Sequence, residues 1–154
     1  MALRKVITKE DELLRKKCKP VTAFDEKLAK LLDDMKETLY KENGYGLAAP
    51  QIAMLRRITV IDVGEGFLEV INPEILEQSG AQRGVEGCLS CPTQYGYVTR
   101  PDYVKFRAQD RNGNFYEKEA RDLFARCVCH ELDHLDGKLF LDIVEEMVEP
   151  EEDE

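Results

Sequence analysis

The stretch CHELDHLDG, Cys129 to Gly137, contains both histidines of the chain, His130 and His134, with Glu131 directly after the first. In an α-helix, residues four apart project from nearly the same face. Two imidazoles at this spacing can therefore grip one ion, while the glutamate, about 100° round the axis, flanks it. H-E-x-x-H is a metal-binding pattern for that geometric reason. Two histidines on an apolar helix face can also be plain core residues with satisfied ring nitrogens. Here ionisable neighbours share the segment, and burying them together without an ion would be costly.

Working outward, the helix is expected from about Arg121 to Asp136, with Leu123, Cys127, Val128, His130, His134 and Leu135 on one broad side and Gly137 at the C-terminal cap. Upstream, Phe24, Leu28, Leu31, Leu32, Met35 and Leu39 recur at helical spacing until Asn43-Gly44, with Thr22 as the expected cap and Asp25 three residues on. A short first helix is expected in EDELLRKKC, stopped by Pro20. RRITVIDV and FLEVINPEIL read as strands. YVKFRAQ and NFYEKEA flank DRNG as a hairpin, whose Asn112 and Gly113 suit positive φ. The expected fold class is α+β, with antiparallel β-sheets packed around a central C-terminal helix that carries HExxH.

The 154 residues, 43% of them hydrophobic, suit one globular domain spanning 1–154, with residues 149–154 an acidic, frayed tail. Acidic residues outnumber basic ones 31 to 22, a net charge of -9, which repels a phosphate backbone and argues against direct nucleic-acid binding. No apolar run has the length of a signal peptide or a bilayer span, so the expectation is a soluble, cytoplasmic protein with no membrane contact. Cysteines at 18, 88, 91, 127 and 129 do not form a secreted disulfide framework and read as thiols or metal ligands.

A catalytic zinc-type site takes three protein ligands and leaves one position open. Both histidines are already used, so the third ligand is Cys, Asp or Glu. EGCLSCP, Glu86 to Pro92, offers Cys88, beside a glycine that permits close approach. Cys88-x-x-Cys91 with His130 and His134 is formally a Cys2His2 set, which would close the coordination and make the metal structural. The gap between the two pairs is far longer than the roughly 12 to 15 residues of a zinc finger, and a closed site has no use for Glu131. Ligation by Cys88 alone is the better reading, with Cys91 a small buried thiol. Cys127 can line a pocket, and Cys129 lies on the far side of the helix from Glu131.

GYGLAAPQ, Gly44 to Gln51, follows a helix end with small residues that let a backbone run close to another chain, and the Gln51 amide can donate to a developing oxyanion. GYGLAAPQ, EGCLS and HELDH, in that order, resemble the three motifs of peptide deformylase. The likeness extends through RRITVIDV, INPEI and HLDGKLF, over most of residues 1–145. The resemblance implies the deformylase fold and removal of the formyl group from N-formylmethionyl nascent chains. It implies a divalent metal on Cys88, His130 and His134: Fe(2+) in most members, with Zn(2+), Ni(2+) or Co(2+) able to take its place. It also implies Glu131 as general base and acid, the Leu89 N–H and Gln51 amide as oxyanion donors, and Gly46 as a backbone contact for substrate.

In the mechanism this supports, the ion lowers the pKa of its bound water and Glu131 removes the proton, then passes it to the departing amine. Methionine specificity needs an unbranched apolar pocket, for which Tyr45, Leu123 and Cys127 are the candidates. Glu86 and Asp133 either orient a ligand or the Gln51 amide, or form structural ion pairs. Against the family pattern, Tyr45 stands where an aliphatic residue is common, Ala53 where glycine is frequent, and Cys129 where glutamine usually precedes the histidine. Many relatives carry a longer basic C-terminal helix for ribosome contact; this acidic end does not suit that contact. Two rival readings are another HExxH zinc peptidase and a closed Cys2His2 module.

Overall fold

A computed structural model describes residues 2–149, so the expected acidic tail falls, at 150–154, outside the described residues. The EDELLRKKC segment forms only a 3-10 turn, Glu12–Arg15, capped by Asp11 and burying Leu14 alone. Its charge-rich sequence has no apolar stripe to hold a longer helix against the core. The first α-helix, α1, spans Glu26–Lys41. Its cap is Asp25 rather than Thr22: the Asp25 carboxylate accepts the Leu28 N–H at 3.0 Å, while Thr22 lies three residues too early. The helix ends as expected at Asn43, with φ 56°, and the Gly44 N–H donates to the Leu39 carbonyl.

Eight strands are present among the described residues. They are β1 (Gly46–Ala48), β2 (Ile58–Ile61), β3 (Leu68–Ser79), β4 (Gln82–Cys88), β5 (Cys91–Arg100), β6 (Tyr103–Gln109), β7 (Phe115–Arg121) and β8 (Glu146–Met147). The second α-helix, α2 (Asp122–Leu135), lies between β7 and β8 in the chain. One antiparallel sheet has the order β1-β2-β3-β6-β7, and a smaller one β4-β5-β8. Strands β6 and β7 pair from Tyr103↔Arg121 to Gln109↔Phe115 as the expected hairpin. Within its turn Gly113 takes positive φ, 84°, and Asn112 does not. The Asp110 carboxylate accepts the Asn112 and Asn114 N–H groups instead and organises the loop.

The larger sheet is filled from both faces. Leu28, Leu31, Leu32, Met35 and Leu39 of α1 pack with Leu47, Ile58, Val60 and Ile71. On the other face Ala125, Cys127, Val128, Cys129 and Leu132 of α2 pack with Ile61, Val70, Val104 and Phe106. Each large aliphatic side chain so buried contributes about 1.5–3 kcal/mol of transfer free energy. Strand β2 is therefore buried on both sides, which is why ITVI reads as a continuous apolar run.

The α+β architecture is the expected one, but α2 departs from the one-sided helix anticipated. Every residue from Ala125 to Leu135 except Asp133 is buried, while Leu123 is exposed near its start. The smaller sheet covers the helix side that the larger sheet leaves open. Gly137 follows with φ 75°, where a side chain would strike the Arg15 carbonyl at 2.5 Å. No helix among the described residues is long and apolar enough to cross a membrane.

Candidate active site

The two sheets meet at an opening whose walls are their unpaired edges. Strand β1 pairs only with β2, and β4 only with β5, so each has one edge free. Between them lies a cavity of about 300 Å³, lined on one side by Asn43, Gly44, Tyr45 and Gly46 and on the other by Val85 to Leu89. Helix α2 forms the floor with Leu123, Arg126, Cys127, His130 and Glu131. Two free strand edges facing one slot can hydrogen-bond an extended peptide laid between them.

Cys88 ends β4, immediately before the Leu89-Ser90 turn into β5. His130 and His134 sit one turn apart on α2 with ring centroids 5.0 Å apart. The ligand atoms of Cys88, His130 and His134 all lie within 4.8 Å of one another, and Cys88 Sγ is 3.3 Å from His134 Nε2. Cys91 is not part of this group; it is buried with Val98, Leu139 and Phe140. One thiol and two imidazoles suit a borderline-soft divalent ion. His130 fits that role because its Nδ1 is already held by Glu86 Oε1 at 2.9 Å, which leaves Nε2 for a metal.

Glu131 is buried, and its Oε1 has no hydrogen-bond partner among the described residues, the condition of a group waiting for a water or a substrate atom. Burial pushes its carboxyl up to about 7; His130 pulls it down and Glu86 adds to the rise. Gly46 makes room for it, since a Cβ there would lie 2.6 Å from Glu131 Oε2. Gln51 comes from a 3-10 turn, Ala49–Ile52, whose Pro50 favours that start. Its Oε1 accepts the Ala48 N–H at 2.9 Å, and its Nε2 lies 3.1 Å from Ser90 Oγ and 3.5 Å from Cys88 Sγ. The amide is thus held with its donor end against the metal-ligand group. Leu89 lies at the hairpin tip on the cavity wall, next to Gly44.

A polypeptide deformylase family model matches residues 3–149. The chain belongs to that family. It is 57% identical to a peptide deformylase of Caldicellulosiruptor bescii over 99% of this chain and 92% of that protein. Among solved structures it is similar to the peptide deformylase of Thermotoga maritima, with TM-score 0.92 and 41% identity over 94% of this chain and 99% of that one. The deformylase of Synechococcus elongatus, crystallised with actinonin, matches with TM-score 0.88 and 39% identity, over 91% and 78% of the two chains. Deformylases are metal-dependent hydrolases that remove the N-formyl group from methionyl peptides.

Within this deformylase, the sequence reading missed the ionic clamp behind the ligands. Glu86 Oε2 accepts Arg100 Nε at 2.8 Å and Arg126 Nη1 at 2.7 Å, while its Oε1 accepts Arg100 Nη2 at 3.0 Å beside His130 Nδ1. Burial alone would raise the Glu86 carboxyl, but hydrogen bonds from Arg100 and His130 hold it down at about 2. Arg100 also reaches Asp133 at 2.7 Å, and Arg126 donates to the Gln82 and Val98 carbonyls. Of the alternatives left open, Glu86 both holds His130 and forms ion pairs, Asp133 forms an ion pair with Arg100 alone among the described residues, and the Gln51 amide is held by Ala48 and Ser90. A basic residue on the apolar α2 floor was the available signal for Arg126. Arg100 carried none, because it sits at a strand end.

The unusual residues separate cleanly in space. Tyr45 stands on the cavity rim, 59% exposed, and Tyr95 lies opposite with its ring against Gly87. Ala53 adopts φ 65°, the left-handed region that favours glycine, at the end of the Gln51 turn. Cys129 faces a different cavity with Arg57, Leu132 and Asp133 and does not line the cavity beside Glu131.

Proposed function

We propose that Cys88, His130 and His134 hold one divalent ion in this deformylase, with Glu131, Gln51 and the Leu89 N–H carrying the hydrolysis of the formamide. The observation that carries this reading is the three-donor group with an unpartnered glutamate beside it and, among the described residues, no fourth protein ligand. Ferrous iron is the ion we assign, with zinc, nickel or cobalt able to fill the same donors. When bound, the ion polarises and acidifies water at a neutral pH.

The residues of the chain do the rest. A formylmethionyl peptide lies extended between β1 and β4, with the Gly46 backbone as one hydrogen-bonding edge. Its methionine side chain enters the slot against Leu89, Leu123 and Cys127, under the rim formed by Tyr45. Gln51 Nε2, fixed through Ala48 and Ser90, donates to the carbonyl oxygen as negative charge develops there, and the Leu89 N–H donates from the hairpin tip. Glu131 takes the proton of the attacking water and returns it to the departing amine. Burial, which raises this carboxyl, favours its holding the proton between the two halves of that transfer. The products are formate and a free methionine terminus. The substrates, formylated nascent chains, put the reaction in the cytoplasm.

The test is to load the protein anaerobically and supply formyl-Met-Ala-Ser and, separately, the unformylated peptide. Formate from the first with no cleavage of the second supports the reading, whereas cleavage of the second identifies a peptidase instead. Glu131→Gln is expected to abolish formate release while retaining metal. If Cys91→Ser empties the site and Glu131→Gln leaves turnover intact, the metal is structural and the assignment fails.

A further inference from the structure

Cys91 is a buried thiol that the hydrolysis does not use. It is the direct cross-strand partner of Cys88 across the two-residue Leu89-Ser90 turn. Directly opposed residues of an antiparallel pair have Cα atoms about 4.5–5.5 Å apart, within the range of about 4.4–6.8 Å that a disulfide requires. The polar partners of the Cys88 sulfur are Gln51 Nε2 at 3.5 Å and His134 Nε2 at 3.3 Å, and Cys91 is the thiol set beside it by strand pairing. Access differs between the two: Cys88 lines the open cavity, while Cys91 is 1% exposed behind it among Val98, Leu139 and Phe140. No other thiol competes for Cys88 in this way. Cys18 packs in a separate cluster with Ala48 and Leu135, Cys127 lies across the cavity floor, and Cys129 faces away.

We propose that Cys88 and Cys91 form a reversible oxidative modification site, with Cys88 the sulfur attacked by hydroperoxides and Cys91 the resolving thiol. This rests on Cys88 being the metal ligand. In the first step the Cys88 thiolate attacks the terminal oxygen of ROOH; the S–O bond forms, the O–O bond breaks, and alkoxide leaves and takes a proton from water as ROH, so that Cys88 becomes a sulfenic acid and no longer offers a thiolate donor. In the second, the Cys91 sulfur attacks the Cys88 sulfur, forming the disulfide and releasing the hydroxyl with the Cys91 proton as water. The peroxide is reduced, and two thiols are oxidised. A dithiol reductant restores both. Without Cys91, the sulfenic acid would remain open in the cavity to further oxidation, which reductants do not reverse.

The experiment uses the full chain loaded with zinc, which has no redox chemistry of its own, and hydrogen peroxide as the oxidant. Free thiols are titrated under denaturing conditions, zinc release is followed with a colorimetric chelator, and the tryptic peptide 84–105, which carries both cysteines, is weighed. The proposal expects free thiols to fall from five to three. It also expects this peptide to be lighter by two hydrogens, zinc to be released in step, and dithiothreitol to reverse the mass change. Cys91→Ser is expected instead to gain oxygen atoms on Cys88 and to lose zinc binding permanently. Oxygen addition on Cys88 in the native protein with no loss of two hydrogens overturns the resolving role, as does a disulfide that joins any other pair. If the protein binds no zinc through Cys88, the ligand assignment fails instead, which the zinc content before oxidation reports separately.

Discussion

Replacing Gly46 by alanine tests the catalytic assignment without replacing a candidate ligand or an ionisable group. The backbone at Gly46 lies outside the left-handed region, so alanine is free of conformational strain there. Its Cβ would stand 2.6 Å from Glu131 Oε2 and 2.8 Å from Glu131 Cδ, against an ordinary contact of 3.4 Å or more. The carboxylate must therefore retreat by about 0.8 Å from the position it occupies beside the metal ligands. A displacement of about 1 Å in a reacting group costs on the order of 100-fold in rate. The expected result is a loss of about that size in kcat/KM for formate release from formyl-Met-Ala-Ser, with metal content unchanged. Thermal stability is expected to fall modestly, because Glu131 is buried and its Cγ, 2.7 Å from the new Cβ, must shift as well. Gly46→Ala at full activity would falsify the placement of Glu131 as the group that moves protons.

Gln51→Leu removes one oxyanion donor and is expected to lower kcat about 100- to 1,000-fold with little change in KM, measured by steady-state formate release. Arg126→Met strips Glu86 of one of its two guanidinium partners and unhooks α2 from the Gln82 and Val98 carbonyls. Metal loss to a chelator is expected to accelerate about 10- to 100-fold, with Arg126→Lys intermediate. Because Glu86 is held at about 2 in the fold against an ordinary 4.5, its stabilisation is complete above about 4.5 and is lost as pH falls toward 2. Unfolding temperature should drop across that window, and Glu86→Gln should remove the dependence. Ala53→Gly relieves a left-handed alanine and is expected to stabilise the protein by up to about 1 kcal/mol in denaturant titrations, with kcat unchanged.

The parts of the site legible in the sequence were those carried by local spacing. His130, Glu131 and His134 are fixed by helical periodicity, and their relative placement is the same wherever the helix docks. Cys88 and Gln51 had the right chemistry, but no spacing connects residue 51, residue 88 and residue 134; the motif resemblance linked them, and the fold brings them within hydrogen-bonding distance. The cap of α1 was misplaced by three residues because Thr22 and Asp25 are both good caps, and only the backbone path decides which carboxyl or hydroxyl meets the Leu28 amide.

By itself, then, the sequence determined an α+β chain with a histidine-bearing helix, its candidate ligands and its candidate general base, because these follow from period, residue chemistry and family pattern. Tertiary structure alone decided three things: that α2 is covered on both sides, that free edges of two sheets face each other across the cavity, and that Glu86 joins Arg100, Arg126 and His130. Such long-range contacts depend on how sheets twist and pack, information spread over the whole chain rather than written in any one segment. The same is true of Cys91: its sequence spacing from Cys88 is plain, but its burial behind the open cavity is a property of the folded hairpin.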